Sequence, residues 1–150
     1  MIFRKDLGKN MAKIDKKRIL DKIRVIQDCI SKLDVLSQLS IDEFISDFKN
    51  FDSAKYNLQI AIEAMIDIGN HIISRKGLGT PKTYSDTFEI LHKYKVIPKK
   101  DAVSYKLMAK FRNRIVHFYD DVDDGEVYNI LQNNLDDFNS YIEHVNKLLV

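Results

Sequence analysis

Cysteine, proline, glycine and tryptophan are all scarce: 150 residues contain one Cys, two Pro, five Gly and no Trp. The lone thiol, Cys29, cannot close an internal disulfide, and its place in an apolar helical stripe is that of a small core residue. No apolar run approaches the roughly 18 residues needed to cross a bilayer, and nothing from Met1 to Leu20 resembles a secretory leader, which predicts a cytoplasmic protein with no membrane partner. Metal-ligand patterns are missing too. His71 and His92 have no ligand-type neighbours at helical spacing, and DDVDDG (residues 120 to 125) lacks the twelve-residue loop and terminal bidentate Glu of a calcium site. Those acids suit the N-terminus of a following helix better, and no cofactor is expected.

A chain of this length with 45% hydrophobic residues fits one domain. Residues 1 to 14 read as a basic, poorly ordered extension, with Met11 a possible natural start, and residues 15 to 150 as a single helical domain. The formal net charge of +2 is small, but its distribution is uneven. Residues 91 to 114 carry eight Lys or Arg against one acid, Asp101, while Ile115 to Glu143 holds eight Asp or Glu and no Lys or Arg. The first stretch can meet phosphate. Polyanions would avoid the second.

Hydrophobic periodicity predicts an all-α chain, an antiparallel bundle of five to six helices. Ile19, Ile23, Ile26, Ile30 and Leu33 line one face of a helix from an Asp15 cap to about Leu39. Ser40 and Glu43 have capping-box spacing, which starts a short helix reaching about Lys49. Ser53 to Arg75, apolar around more than half its circumference, reads as the central helix, stopped by Gly77, Gly79 and Pro81. Ser85 to Tyr94, Lys99 to about Tyr119, and Glu126 to Leu149 complete the set.

The fifth of these helices carries the chemistry. FRNRIVHFY, residues 111 to 119, gathers two guanidinium groups, an amide, an imidazole and a phenol. At about 100° per residue, Leu107, Phe111, Ile115 and Phe118 form its core face, while Lys106, Lys110, Asn113, Arg114 and His117 share a polar face. Asn113 is four residues from His117 and can orient the imidazole. Arg112 and Tyr119 fall on one flank, about 140° or more from His117, so Arg112 and His117 can grip one phosphate only if the helix distorts near its end or a second subunit completes the cleft. The competing role for Arg112 is an ion pair with the acidic linker, Asp120 to Asp124.

Arg112, Asn113, His117 and Tyr119 spell R-N-x-x-x-H-x-Y, which resembles the signature of HEPN-domain RNase toxins. GLGTPKTYSDTFEILHKYKVIP, following NLQIAIEAMIDIGNHIIS, is similar to the HepT branch of that family, and the likeness runs from about Lys16 to the C-terminus. The resemblance implies the toxin of a type VII-like toxin–antitoxin pair, an endoribonuclease needing no metal. Attack of a ribose 2′-hydroxyl on the adjacent phosphorus would leave a cyclic phosphate. Arg112 and His117 would be catalytic, Asn113 orienting, and Lys106, Lys110 and Arg114 would hold RNA phosphates. The implied partners are a second copy of the chain in a homodimer, RNA, and a cognate minimal nucleotidyltransferase antitoxin that silences the toxin by AMPylating Tyr119. Two other readings fit the residues: a helical nucleotide-binding subunit of a nucleotidyltransferase without catalysis, and an inert dimeric adaptor.

Overall fold

The computed structural model describes residues 13–150; most of the expected basic extension, and Met11, lie outside them. Among the described residues there are seven α-helices, one 3-10 turn and no strand: α1 Lys16–Ser37, α2 Ile41–Ser46, α3 Phe48–Lys76, α4 Tyr84–Lys93, α5 Lys99–His117, the turn Tyr119–Asp121, α6 Asp124–Asn133 and α7 Asp136–Leu149. None of these helices is long and apolar enough to cross a membrane.

Capping chemistry sets most boundaries. The Asp15 carboxylate accepts from the Arg18 N–H, and Ser40 and Glu43 exchange hydrogen bonds across a complete capping box at the start of α2. The central helix begins five residues earlier than expected, because Asp47 in extended backbone ends α2 and at once caps α3 through the Lys49 N–H. Gly77 stops α3 in the left-handed conformation at φ 63°, and the Leu78 N–H closes back on the Ile73 carbonyl at 3.0 Å. In the acidic linker the Asp123 carboxylate caps α6 by accepting from the Glu126 N–H at 2.7 Å. The last predicted helix divides in two. Asn133 and Asn134 are weak helix formers, and Asn134 leaves helical geometry at φ −124°, ψ 1° before α7 starts.

The 29 residues of α3 run about 44 Å through the middle of the bundle. Helices α1, α2, α4, α5 and α6 all pack on it. At its centre Gly69 admits close neighbours: a Cβ there would meet Thr87 Cγ2 at 2.6 Å, Leu91 Cδ1 at 3.1 Å and the Tyr141 hydroxyl at 3.2 Å. Beside it Phe88, Tyr105 and Tyr141 form a ring cluster with centroids 5.1 to 5.8 Å apart. Tyr141 donates to the Met65 carbonyl at 2.9 Å, and the Tyr105 hydroxyl meets Ser140 Oγ at 2.5 Å. Burial pushes both phenols well above the usual tyrosine range. This cluster anchors the first half of α5, so the second half projects from a fixed base.

The core face of α5 differs from its projection. Ala102, Tyr105, Ala109, Phe111 and Ile115 are buried, whereas Leu107 is 60% and Phe118 64% exposed. Tyr105 takes the inward position because α4 and α7 offer it rings and a hydroxyl, and Phe118 lies beyond the helix end. Cys29 is buried as expected, with its thiol pushed up by burial.

Candidate active site

Helix α5 ends at His117, two residues short of the expected limit. The Phe118 N–H reaches the Arg114 carbonyl at 2.8 Å, while φ −133°, ψ 52° at Phe118 takes the chain off the helical path. Arg112, Asn113 and His117 all border one open cleft of 590 Å³, with Asn70 of α3, Lys82 of the preceding loop and Tyr84 of α4 among the opposite walls. One chain therefore brings Arg112 and His117 to a common space. The helix leaves its regular path only after His117, at Phe118, and Asn70, Lys82 and Tyr84 border the same space from within the chain.

Arg112 is held in place rather than loose. Its Nε donates to Glu63 Oε2 at 2.8 Å and its Nη2 lies 2.6 Å from the same oxygen. Nη1 donates to Asn113 Oδ1 at 3.2 Å, and the Tyr84 ring centre is 5.0 Å from the guanidinium carbon. A guanidinium has five N–H donors, so these partners leave capacity for a phosphate. The competing role, an ion pair with the acidic linker, falls to Arg114 instead. Asn113 also differs from expectation, since its amide oxygen is turned to Arg112 and not to the imidazole. His117 is exposed at the helix terminus.

Glu63 is the site residue that sequence reasoning missed. Its signal is a carboxylate inside the apolar run IAIEAMI with no cation three or four places away on its own helix. Such a group takes its partner from another element. Lys82 and Tyr84 were likewise unremarkable in the sequence, because only the loop between α3 and α4 carries them to the cleft.

The proposed phosphate-binding cations do not gather there. Lys106 is paired with Glu89 of α4, whose carboxyl it holds below the usual range. Arg114 forks onto Glu126 at 2.5 Å and Asp121 at 3.2 Å, and these acids raise its pKa further. Lys110 has no ion-pair partner among the described residues, and with Arg114 it lines a separate, apolar groove of 340 Å³ beside Leu58, Leu107 and Phe111. The polar face of α5 is thus divided by its neighbours: α4 claims Lys106, the linker and α6 claim Arg114, and only Asn113 and His117 join Arg112.

Tyr119 falls in the 3-10 turn, so its projected flank on α5 does not apply. Its hydroxyl donates to Asp52 Oδ1 at 3.1 Å, and the Lys55 ammonium sits 3.3 Å from its ring centre. Among the described residues no three His, Cys, Asp or Glu side chains cluster as metal ligands would. His71 accepts the Asp15 N–H at 3.0 Å, and His92 Nδ1 is 3.3 Å from the Ile97 carbonyl, both structural contacts.

Comparison with known proteins adds a context for this cleft. A family model described as Ribonuclease HepT-like matches residues 26–145. An mRNA nuclease HepT from Shewanella oneidensis is 35% identical over 127 residues, which cover 83% of this chain and 93% of that protein. A tRNA nuclease HepT from Aphanizomenon flos-aquae is 28% identical over 140 residues, covering 93% and 95%. Among solved structures, a tri-AMPylated Shewanella oneidensis HEPN toxin in complex with an MNT antitoxin superposes with a TM-score of 0.81 at 32% identity, covering 87% of this chain and 97% of that one.

Proposed function

The chain belongs to the ribonuclease HepT-like family, and on that premise we propose that its cleft cleaves RNA with Arg112 and His117 as the catalytic pair. The observation that carries this reading is the meeting of both side chains on one open cleft at the end of α5. The ribose 2′-hydroxyl attacks the adjacent phosphorus, the 5′-oxygen leaves, and a cyclic phosphate remains. His117, whose imidazole is exposed to an incoming substrate, moves a proton onto or off a ribose oxygen. Arg112 stabilises the charge that builds on the phosphoryl oxygens. Asn113 and Glu63 position the guanidinium, and Lys82 is the cleft's second cation for a neighbouring phosphate. Lys110 lies on another groove and serves at most a more distant phosphate, while Lys106 and Arg114 are engaged with carboxylates.

No step in this scheme calls on a metal ion. The unmodified protein should cut single-stranded RNA in excess EDTA, leaving cyclic phosphate and 5′-hydroxyl ends. A strict requirement for magnesium, or 5′-phosphate ends, would overturn the mechanism.

In this reading the protein is the toxin of a toxin–antitoxin pair, and a cognate minimal nucleotidyltransferase silences it by placing AMP on Tyr119. The superposable AMPylated toxin supports that assignment. Direct neutralisation of Arg112 by the first phosphate does not fit the geometry, however. Tyr119 touches α3 at Asp52 and Lys55, while Arg112 touches it at Glu63, about 12 to 16 Å further along the helix axis. The attached nucleotide acts instead by its bulk and charge beside Phe118, which lines the cleft and precedes Tyr119 in the chain. A homodimer completes the proposal: Val103, Leu107 and Phe118 leave apolar surface exposed on and beside α5, and light scattering over a dilution series tests whether it is buried.

A further inference from the structure

The environment of Tyr119 is more specific than a surface tyrosine needs. Asp52 Oδ1 accepts the phenol proton at 3.1 Å and is also 3.9 Å from the Lys55 ammonium. The Lys55 side chain is only 3% exposed, an unusual position for a cation. It lies between two rings, 3.9 Å from the centre of Phe51 and 3.3 Å from that of Tyr119. Ring faces and one carboxylate at the limit of ion-pair distance compensate it only in part, so it remains a cation that an arriving anion would stabilise. Asp52 and Tyr119 are each about half exposed, which leaves the hydroxyl and its acceptor open to a partner.

We propose that Asp52 is the general base for modification of Tyr119, supplied by the modified chain itself, and that Lys55 is the cation that receives the transferred phosphate. This rests on the reading of Tyr119 as the modified residue. In the step, the Tyr119 Oη–H bond breaks and its proton passes to the Asp52 carboxylate as Oη attacks the α-phosphorus of ATP. The new Oη–P bond forms while the bond from that phosphorus to the bridging oxygen breaks, and the electron pair leaves with pyrophosphate. Lys55, fixed under the ring by Phe51, holds the tyrosine in its attacking position and faces the phosphodiester once formed.

Asp52 lies outside the Arg112–His117 cleft, so its role can be separated from RNA cleavage. The test uses the full chain with its cognate nucleotidyltransferase and ATP, following AMP transfer by intact mass and peptide mapping. Asp52→Asn keeps the size of the side chain and removes the base. It should slow transfer to Tyr119 about a hundredfold or more, the usual effect of losing a general base. RNA cleavage by the unmodified variant and its complex formation with the partner should stay at the level of the unsubstituted protein. The titratable groups set against Asp52 are Lys55 from its own helix and Tyr119 itself. Raising the pH should therefore restore part of the lost rate in Asp52→Asn, where hydroxide can replace the missing base, and should gain the unsubstituted chain less. Equal rates and equal pH profiles would overturn the base assignment, as would a defect traced to lost complex formation. Absence of AMP from Tyr119 in the unsubstituted protein would instead overturn the switch reading beneath it.

Discussion

Two histidines occupy opposite kinds of environment in this molecule, and the regions around them divide its labour. His71 is buried on α3, its Nε2 accepting the Asp15 N–H that opens α1, so it joins two helices of the packed half. His117 ends α5, exposed on a cleft that Asn70, Lys82, Thr83 and Arg112 also line. The packed half has its polar atoms satisfied: the described residues contain no buried side-chain nitrogen or oxygen without a hydrogen-bond partner. Around His117 the side chains keep unused donors. Helix α5 joins the two regions, anchored by Tyr105 at one end and reactive at the other. Stability and chemistry should therefore respond to different substitutions.

The sharpest contrast comes from Phe88→Ala. Phe88 is fully buried against Tyr105 and Tyr141, so its loss should cost about 3 to 5 kcal/mol of stability. Denaturant midpoints measure that cost. Cleavage per folded molecule, under conditions where the variant remains native, should change little. His117→Ala is the converse. RNA cleavage should fall about a hundredfold or more, equivalent to about 2.7 kcal/mol of transition-state stabilisation, with an unchanged melting temperature. A His117→Ala protein that cut RNA normally would remove His117 from the chemistry and leave it at most a binding group. Gly69→Ala comes next in size. Its new methyl would collide with Thr87 and press on Leu91 and Tyr141, and overpacking of this kind destabilises by about 1 to 3 kcal/mol. Thermal unfolding should record the loss, and a neutral result would mean that α3 and α4 part more easily than their packing indicates.

Most of the helical architecture was legible in the sequence, because periodicity and capping are local. The Ile19 to Leu33 stripe, the Ser40–Glu43 box and the Gly77 stop all lie where residue spacing put them. The site was legible as a motif but not as a geometry. Projecting α5 assumed that every position out to Tyr119 continued the helix, and Phe118 ends that assumption. It also treated the polar face as one surface, whereas Glu89 and Glu126 arrive from α4 and α6 and take Lys106 and Arg114 away from the cleft. Glu63 could be suspected only as an acid out of place in an apolar helix. The contacts that a residue makes across elements far apart in sequence are what periodicity does not carry, and Tyr119 with Asp52, 67 positions apart, is the clearest case.

The smallest expected effect tests the quiet histidine. Burial lowers the pKa of His71 below its ordinary value near about 6.5, and the nearby Arg18 and Arg75 cations lower it further. The neutral ring is also what the fold uses, since a protonated Nε2 cannot accept the Asp15 N–H. In the unfolded chain the same imidazole takes up a proton at its ordinary pKa. Below that value the unfolded state therefore binds more protons than the folded one, and the linkage relation makes stability fall as pH falls. The stabilisation is complete above the unfolded pKa and is lost progressively as the pH drops toward the depressed folded value. Urea midpoints measured from pH 7.5 to 5 should decline for the unsubstituted chain, before most carboxylates begin to protonate. In His71→Gln, whose amide oxygen can accept the same N–H without titrating, that decline should flatten. His117→Ala should leave it intact, because the substitution does not touch the contact between His71 and the Asp15 N–H. A decline that survived in His71→Gln but vanished in His117→Ala would reverse the roles assigned to the two regions.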